Sequence, residues 1–178
     1  MFEKIRKMKN QKGFTLVELI VVLVILAILA AMLVPALTGY IDKANNQKIV
    51  ATTRQVVMAA QTEVSEAYGQ NELKAGIITI AEGGGLSNKL ASGGSATDEV
   101  PVKGKAIVEL AEVGEWNAPA SGTASYKLKN GITNIVINYD KDGNVTTVEL
   151  TQNNKTCHYQ KGGVTGTHTY VNGDYYID

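Results

Sequence analysis

The sequence predicts an α+β fold, one long N-terminal helix packed against a C-terminal antiparallel sheet. Three observations carry this. Residues Leu19–Leu37 are nineteen consecutive apolar residues or proline. Beyond Tyr40 apolar residues recur at spacings of three and four. From Ser125 onward short alternating runs flank Asn130-Gly131 and follow Asp142-Gly143.

The chain opens with a basic segment. It has 17 basic and 17 acidic residues; five basic residues (Lys4, Arg6, Lys7, Lys9, Lys12) and Glu3 give the first thirteen residues +4, leaving 12 and 16, or −4, for the remainder. The positive-inside tendency holds such an N-terminus in the cytoplasm and sends the rest outward. An acidic remainder offers no basic surface for nucleic acid.

A nineteen-residue helix spans roughly 28 Å, the thickness of a bilayer core. Apolar on every side, it reads as a membrane span, because a chain of 178 residues seldom encloses so long a helix. A secretory signal is the competing reading. Its apolar region is shorter, and Leu33-Val34-Pro35-Ala36-Leu37 is a poor exit for its protease, although Ala27, Ala30 and Ala31 imitate a cleavage site. Ala27 and Ala31 also form a small-xxx-small pair suited to close helix approach.

Glu18 sits at the edge of this run. An ionisable group within a span costs about 2.5–3.5 kcal/mol on the mildest scale, so it calls for a partner, unless its carboxylate reaches the headgroup zone.

Ile49, Thr53, Val56, Ala60, Val64 and Ala67 mark one face of a second helical half. One helix should therefore continue to Tyr68 and stop at Gly69, with Pro35 and Gly39 as points of kinking or local melting. Residues 69–124, with Gly83-Gly84-Gly85 and Ser92-Gly93-Gly94-Ser95, read as a long connection of little regular structure. Its exceptions are Ile77–Ala81 and a short helix over Ala106–Val113 closed by Gly114. The triple glycine lacks the Lys and Ser or Thr of a P-loop and reads as a flexible surface loop.

Ser125–Lys129, Ile132–Tyr139 and Val145–Thr151 are expected to form a three-stranded meander. A fourth strand follows at Thr156–Gln160 and a fifth at His168–Val171. Ile135, Ile137, Tyr139, Val148 and Leu150 are the candidates to face the helix.

Asp140, Asp142 and Asn144 are candidate calcium ligands, but Asp140-Lys141-Asp142-Gly143-Asn144 lacks the further ligand before the glycine and the distal acid of a calcium loop. A hairpin turn explains the same residues. Cys157 is the sole cysteine, which rules out an intramolecular disulfide, and its neighbour His158 should point to the opposite face of a strand. With His158 and His168 the only histidines and no nucleophile motif, no catalytic set emerges, and neither an enzyme nor a cofactor is expected. Asn144-Val145-Thr146 and Asn154-Lys155-Thr156 match the glycosylation sequon by chance.

Gly13-Phe14-Thr15-Leu16-Val17-Glu18 with Pro35 resembles the N-terminus of type IV pilins and type II pseudopilins. The likeness is close over residues 1 to about 70 and general beyond. It implies cleavage by a membrane prepilin peptidase after Gly13, N-methylation of Phe14 by the same enzyme, and a mature chain of 165 of the 178 residues. It assigns assembly roles to Thr15, Glu18 and Pro35, with Glu18 meeting the Phe14 amine of a neighbouring subunit. Ala27 departs from the glycine found in many members, which should make the helix harder to melt there. The single cysteine departs from the C-terminal pair of many diderm pilins and favours a disulfide-poor source.

The resulting layout is a leader at 1–13, an apolar span and filament-core helix at 14–41 and a head at 42–178. The head comprises an amphipathic helix at 42–68, a connection at 69–124 and a sheet at 125–178. The leading expectation is a type IV pilus subunit for adhesion, surface motility or biofilm formation. It starts as a single-pass membrane protein with a cytoplasmic N-terminus and ends in an extracellular filament. The expected partners are further copies of the chain in a helical homopolymer, the peptidase and methylase, an assembly ATPase, an inner-membrane platform and the membrane. The alternatives are a pseudopilin of a type II secretion or DNA-uptake machine, and a monomeric single-pass membrane protein whose outer domain binds a ligand.

Overall fold

The computed structural model describes residues 13–70, 73–84, 86–90, 102–117 and 125–178. The leader cations Lys4, Arg6, Lys7, Lys9 and Lys12, Gly85, and Ser92–Ser95 lie outside the described residues. The chain divides into two units, Met1–Ala44 and Asn45–Asp178.

In the first unit the described residues form the start of helix α1 (Leu16–Gly69). The helix runs on through Pro35 and Gly39. Proline removes one intrahelical donor, and Thr38 Oγ1 donates to the Pro35 carbonyl at 2.9 Å. Every residue from 13 to 44 is exposed.

The second unit begins inside α1. Its buried residues are Asn46, Ile49, Val50, Thr53, Val56, Ala59, Ala60, Glu63, Val64 and Ala67. All six positions expected from the periodicity are among them. Thr53 satisfies its buried hydroxyl by donating to the Ile49 carbonyl at 2.9 Å. Gly69 ends the helix, but not through a left-handed cap, since its φ is not positive.

The sheet has seven strands in the order β2-β1-β5-β6-β7-β9-β8, all antiparallel neighbours. They are β1 (Gly76–Ala81), β2 (Leu86–Leu90), β5 (Ile132–Tyr139), β6 (Val145–Gln152), β7 (Lys155–Gln160), β8 (Tyr170–Asn172) and β9 (Tyr175–Ile177). A separate pair joins β3 (Gly114–Asn117) to β4 (Ser125–Leu128). The core facing α1 is built from Ile78 and Ile80 of β1, Ile135, Ile137 and Tyr139 of β5, Val148 and Leu150 of β6, and Cys157 of β7, each at most 3 % exposed. A bulge between Ile132 and Asn134 turns both Ile132 and Ile135 inward although they are three residues apart.

Several expectations need correction. In the region 69–124 the two expected exceptions appear as β1 and as the helix α2 (Gly104–Leu110), shifted toward the N-terminus, but the region also holds β2 and β3. The meander does not include β4. The Asn130-Gly131 turn forms as its sequence demands, with φ of 58° and 75° and the Ile132 N–H donating to the Lys129 carbonyl at 3.1 Å. The edge of β5 that β4 would need is occupied by β1 from Ala81↔Asn134 to Gly76↔Tyr139, and Glu82 N–H extends the pairing to the Thr133 carbonyl.

β4 turns instead to β3 and to the glycine turn. The Gly83 N–H donates to the Tyr126 carbonyl at 3.0 Å and the Tyr126 N–H to the Gly84 carbonyl at 3.1 Å, while Glu82 accepts from the Leu128 N–H. Gly83 and Gly84 are therefore pinned, not a free loop. Gly114 is no helix cap: it begins β3, and a Cβ there would stand 2.8 Å from the Lys127 carbonyl oxygen. Glu112, at φ 56°, makes the left-handed turn after α2. The last expected strand, His168–Val171, is β8 at Tyr170–Asn172, and β9, absent from the expectation, inserts between it and β7.

Candidate processing and assembly site

Gly13, Phe14 and Thr15 lie in irregular backbone directly ahead of α1. Among the described residues nothing stands within 4 Å of where a Gly13 Cβ would be, and Phe14 is 76 % exposed. No described residue covers the Gly13–Phe14 peptide bond.

Thr15 opens the helix. Its Oγ1 accepts the Glu18 N–H at 3.2 Å and its carbonyl accepts the Leu19 N–H at 3.2 Å, the geometry of an N-cap. The pattern Thr-x-x-Glu is a helix-start signature in its own right, and it was available in the sequence but not used there. Glu18 falls in the first turn, where a carboxylate offsets the positive end of the helix dipole. Pro35 sits seventeen residues on, inside α1 and exposed. Between them the apolar side chains of Leu19, Ile20, Leu23, Leu26 and Leu33 are each at least half exposed. A contiguous apolar surface of this extent marks a membrane or protein contact, and α1 is long and apolar enough to cross a membrane.

The other sequence candidates lie in the head. Asp140 Oδ1 accepts the N–H groups of Asp142 and Asn144, both at 2.9 Å. Lys141 Nζ contacts Asp142 Oδ1 at 2.9 Å, and Lys161 Nζ donates to Asn144 Oδ1 at 2.6 Å. Burial pushes the Asp140 carboxyl up, but the Asn144 and Asp142 hydrogen bonds and Lys161 prevail and hold it below its ordinary value. These oxygens serve a hairpin turn, and no group of three or more His, Cys, Asp or Glu among the described residues is arranged around a metal. Cys157 and His158 do face opposite sides: the thiol is fully buried, its pKa raised by burial, while His158 stacks on Tyr176 at 4.7 Å.

Residues 8–34 match the family model of the prokaryotic N-terminal methylation motif. No curated protein and no solved structure matches the chain. The motif implies processing by a prepilin peptidase and assembly into a pilus-like polymer, hence a structural protein. Together with the apolar helix it points to membrane insertion followed by a surface filament. Residues 8–34 therefore carry a prokaryotic N-terminal methylation motif, a class III prepilin signal that is consistent with a type IV pilin-like prepilin or pseudopilin.

Proposed function

We propose that this chain is a structural subunit of a type IV pilus, cut between Gly13 and Phe14, methylated on the Phe14 amine and assembled through the apolar half of α1. The observation that carries the reading is the conjunction of the methylation motif at residues 8–34 with a helix whose residues 16–41 are all exposed. Such a surface is satisfied first by lipid and then by copies of itself. In this reading residues 1–13 are the cytoplasmic leader, 14–41 the span and later the filament core, and 42–178 the outer head. Thr15 starts the helix, Glu18 answers the Phe14 amine of a neighbour, and Pro35 interrupts the hydrogen-bond ladder where the helix must adjust. An assembly ATPase acting through an inner-membrane platform supplies the work of extraction.

Mass spectrometry of the protein from its host tests this directly. A mature N-terminus at methylated Phe14 is expected, and an intact Met1 would overturn it in favour of an uncleaved monomeric membrane protein. Electron microscopy of cells then separates long surface fibres, expected here, from a pseudopilus confined to the envelope.

A further inference from the structure

The two histidines, ten residues apart in sequence, meet at the free end of the sheet. His168, in the connection between β7 and β8, lies 3.8 Å from the Tyr176 ring centre, and His158 of β7 stacks on the same ring at 4.7 Å. His168 Nδ1 is 2.7 Å from Asp178 Oδ1 and its Nε2 is 3.1 Å from the Thr165 carbonyl. Both partners are acceptors only. A neutral imidazole has one N–H and satisfies one of them; the doubly protonated ring satisfies both. The Tyr176 face beneath adds an attraction that exists for the cation alone.

The segment held by these contacts has little else. β8 and β9 are three residues each, and Gly162, Gly163 and Gly166 in the preceding connection all sit at φ between 97° and 107°. Glycines in such conformations lose much freedom on ordering, and short edge pairs open at low free energy.

We propose that protonated His168 is a pH-sensitive staple that holds residues 163–178, the β8–β9 edge of the head and its glycine-rich approach, in the closed arrangement. The charged and titratable groups around it are Asp178 at the end of β9, Tyr176 within β9 and His158 of β7. His158 in turn faces Asp178 Oδ2 at 3.9 Å and Glu149 Oε1 of β6 at 3.5 Å. All but the second imidazole and the phenol are carboxylates, so the surroundings favour the cation. Consistent with the geometry, the hydrogen bond that His168 donates to Asp178, then that to the Thr165 carbonyl, raises the His168 pKa above its ordinary 6.5. The sign follows: the staple is complete below the ordinary value and is lost as pH rises through the raised one.

The test is hydrogen exchange of the full chain in detergent micelles from pH 5.5 to 8.5, corrected for intrinsic rates, with the histidine titrations followed by NMR. Protection of the 170–177 amides should fall several-fold across the His168 titration, whose midpoint lies above 6.5, while protection of β5 stays constant. His168→Gln should give low, pH-independent protection at 170–177, Asp178→Asn should return the midpoint toward 6.5, and His158→Gln should keep the pH dependence. Uniform protection across pH in the native chain, a His168 midpoint at or below the ordinary value, or a dependence that follows His158 would overturn the proposal. None of these outcomes depends on whether Gly13 is a cleavage site.

Discussion

Gln61 on α1 holds the β5–β6 turn at Gly143 with both ends of its carboxamide group. Nε2 donates to the Gly143 carbonyl at 2.6 Å, and Oε1 accepts the Val145 N–H at 2.9 Å. The side chain thus acts as a short piece of strand, pairing a donor and an acceptor that the hairpin leaves unmatched. Helix and sheet are fixed in register by a polar contact as well as by the apolar core. Beside it the Tyr68 ring covers Gly143, and a Cβ on that residue would stand 3.0 Å from the Tyr68 ring carbon Cγ.

Gln61→Ala leaves a carbonyl and an N–H partly buried without this partner, which should destabilise the head by about 1–3 kcal/mol. Gln61→Glu tests the direction of the contact. A carboxylate can still accept from Val145 but opposes the Gly143 carbonyl, so it should recover part of the loss at most. Thermal melts followed by circular dichroism would show both variants below the native chain. A Gln61→Glu melt equal to the native one would refute the two-ended contact.

Gly143→Ala should be harmful for two separable reasons. Its φ of +82° is left-handed, which costs a side chain about 1–2 kcal/mol, and the new methyl group meets the Tyr68 ring. In the Tyr68→Ala background the steric part disappears while the backbone part remains. A double-mutant cycle should therefore show a smaller penalty for Gly143→Ala when Tyr68 is absent. Equal penalties in both backgrounds would mean that the ring does not constrain the turn.

Tyr139 is 3 % exposed, and its hydroxyl has no hydrogen-bond partner among the described residues. Burial raises its pKa to about 12. An unfolded tyrosine ionises near 10. Between those values the unfolded chain gives up a proton that the folded chain retains, so stability falls as pH rises. Tyr139→Phe removes this contribution and the unpaired hydroxyl together. The variant should be as stable as the native chain at neutral pH, or more stable by up to about 1 kcal/mol, and should lose less stability between pH 10 and 12. Other tyrosines, the buried Tyr126 and the half-buried Tyr175 among them, are also raised by burial, so the alkaline slope should diminish without vanishing. An unchanged slope would place the ionising group elsewhere.

The parts of this fold that were legible in the sequence are those governed by local period. The buried stripe of α1 from Ile49 to Ala67 repeats at helical spacing, and Ile135, Ile137 and Tyr139 alternate as a half-buried strand must. Partner choice was not legible. Asn130-Gly131 specifies a tight turn and forms one, but whether the strands it joins pair with each other depends on competition from β1, more than fifty residues upstream. Asn153 and Asn154, at φ of 50° and 64°, build the β6–β7 hairpin without a glycine to announce it. The cap at Thr15 is readable from its spacing to Glu18. The meeting of His158 with His168 depends on β9 inserting beside β7, which three-residue strands do not advertise.

The cap gives Glu18 two separable duties, and variants can divide them. As the third residue after an N-cap it supports the start of α1. As a carboxylate at the edge of a span it answers the cost of charge in lipid by meeting a positive partner, in the proposed filament the Phe14 amine of a neighbour. Glutamine preserves the shape, the helix propensity and the capping capacity of glutamate but carries no charge. Glu18→Ala should leave cleavage after Gly13 intact and reduce filament incorporation, and Glu18→Gln should reduce it comparably. Thr15→Ala, which removes the cap at a cost of about 1 kcal/mol, should have the milder effect. Cleavage is read by the mass of the mature chain, and incorporation by the ratio of sheared fibres to membrane-held subunit. Normal fibre yield from Glu18→Gln would reduce Glu18 to a helix-start residue and leave the subunit contact without its charge pair.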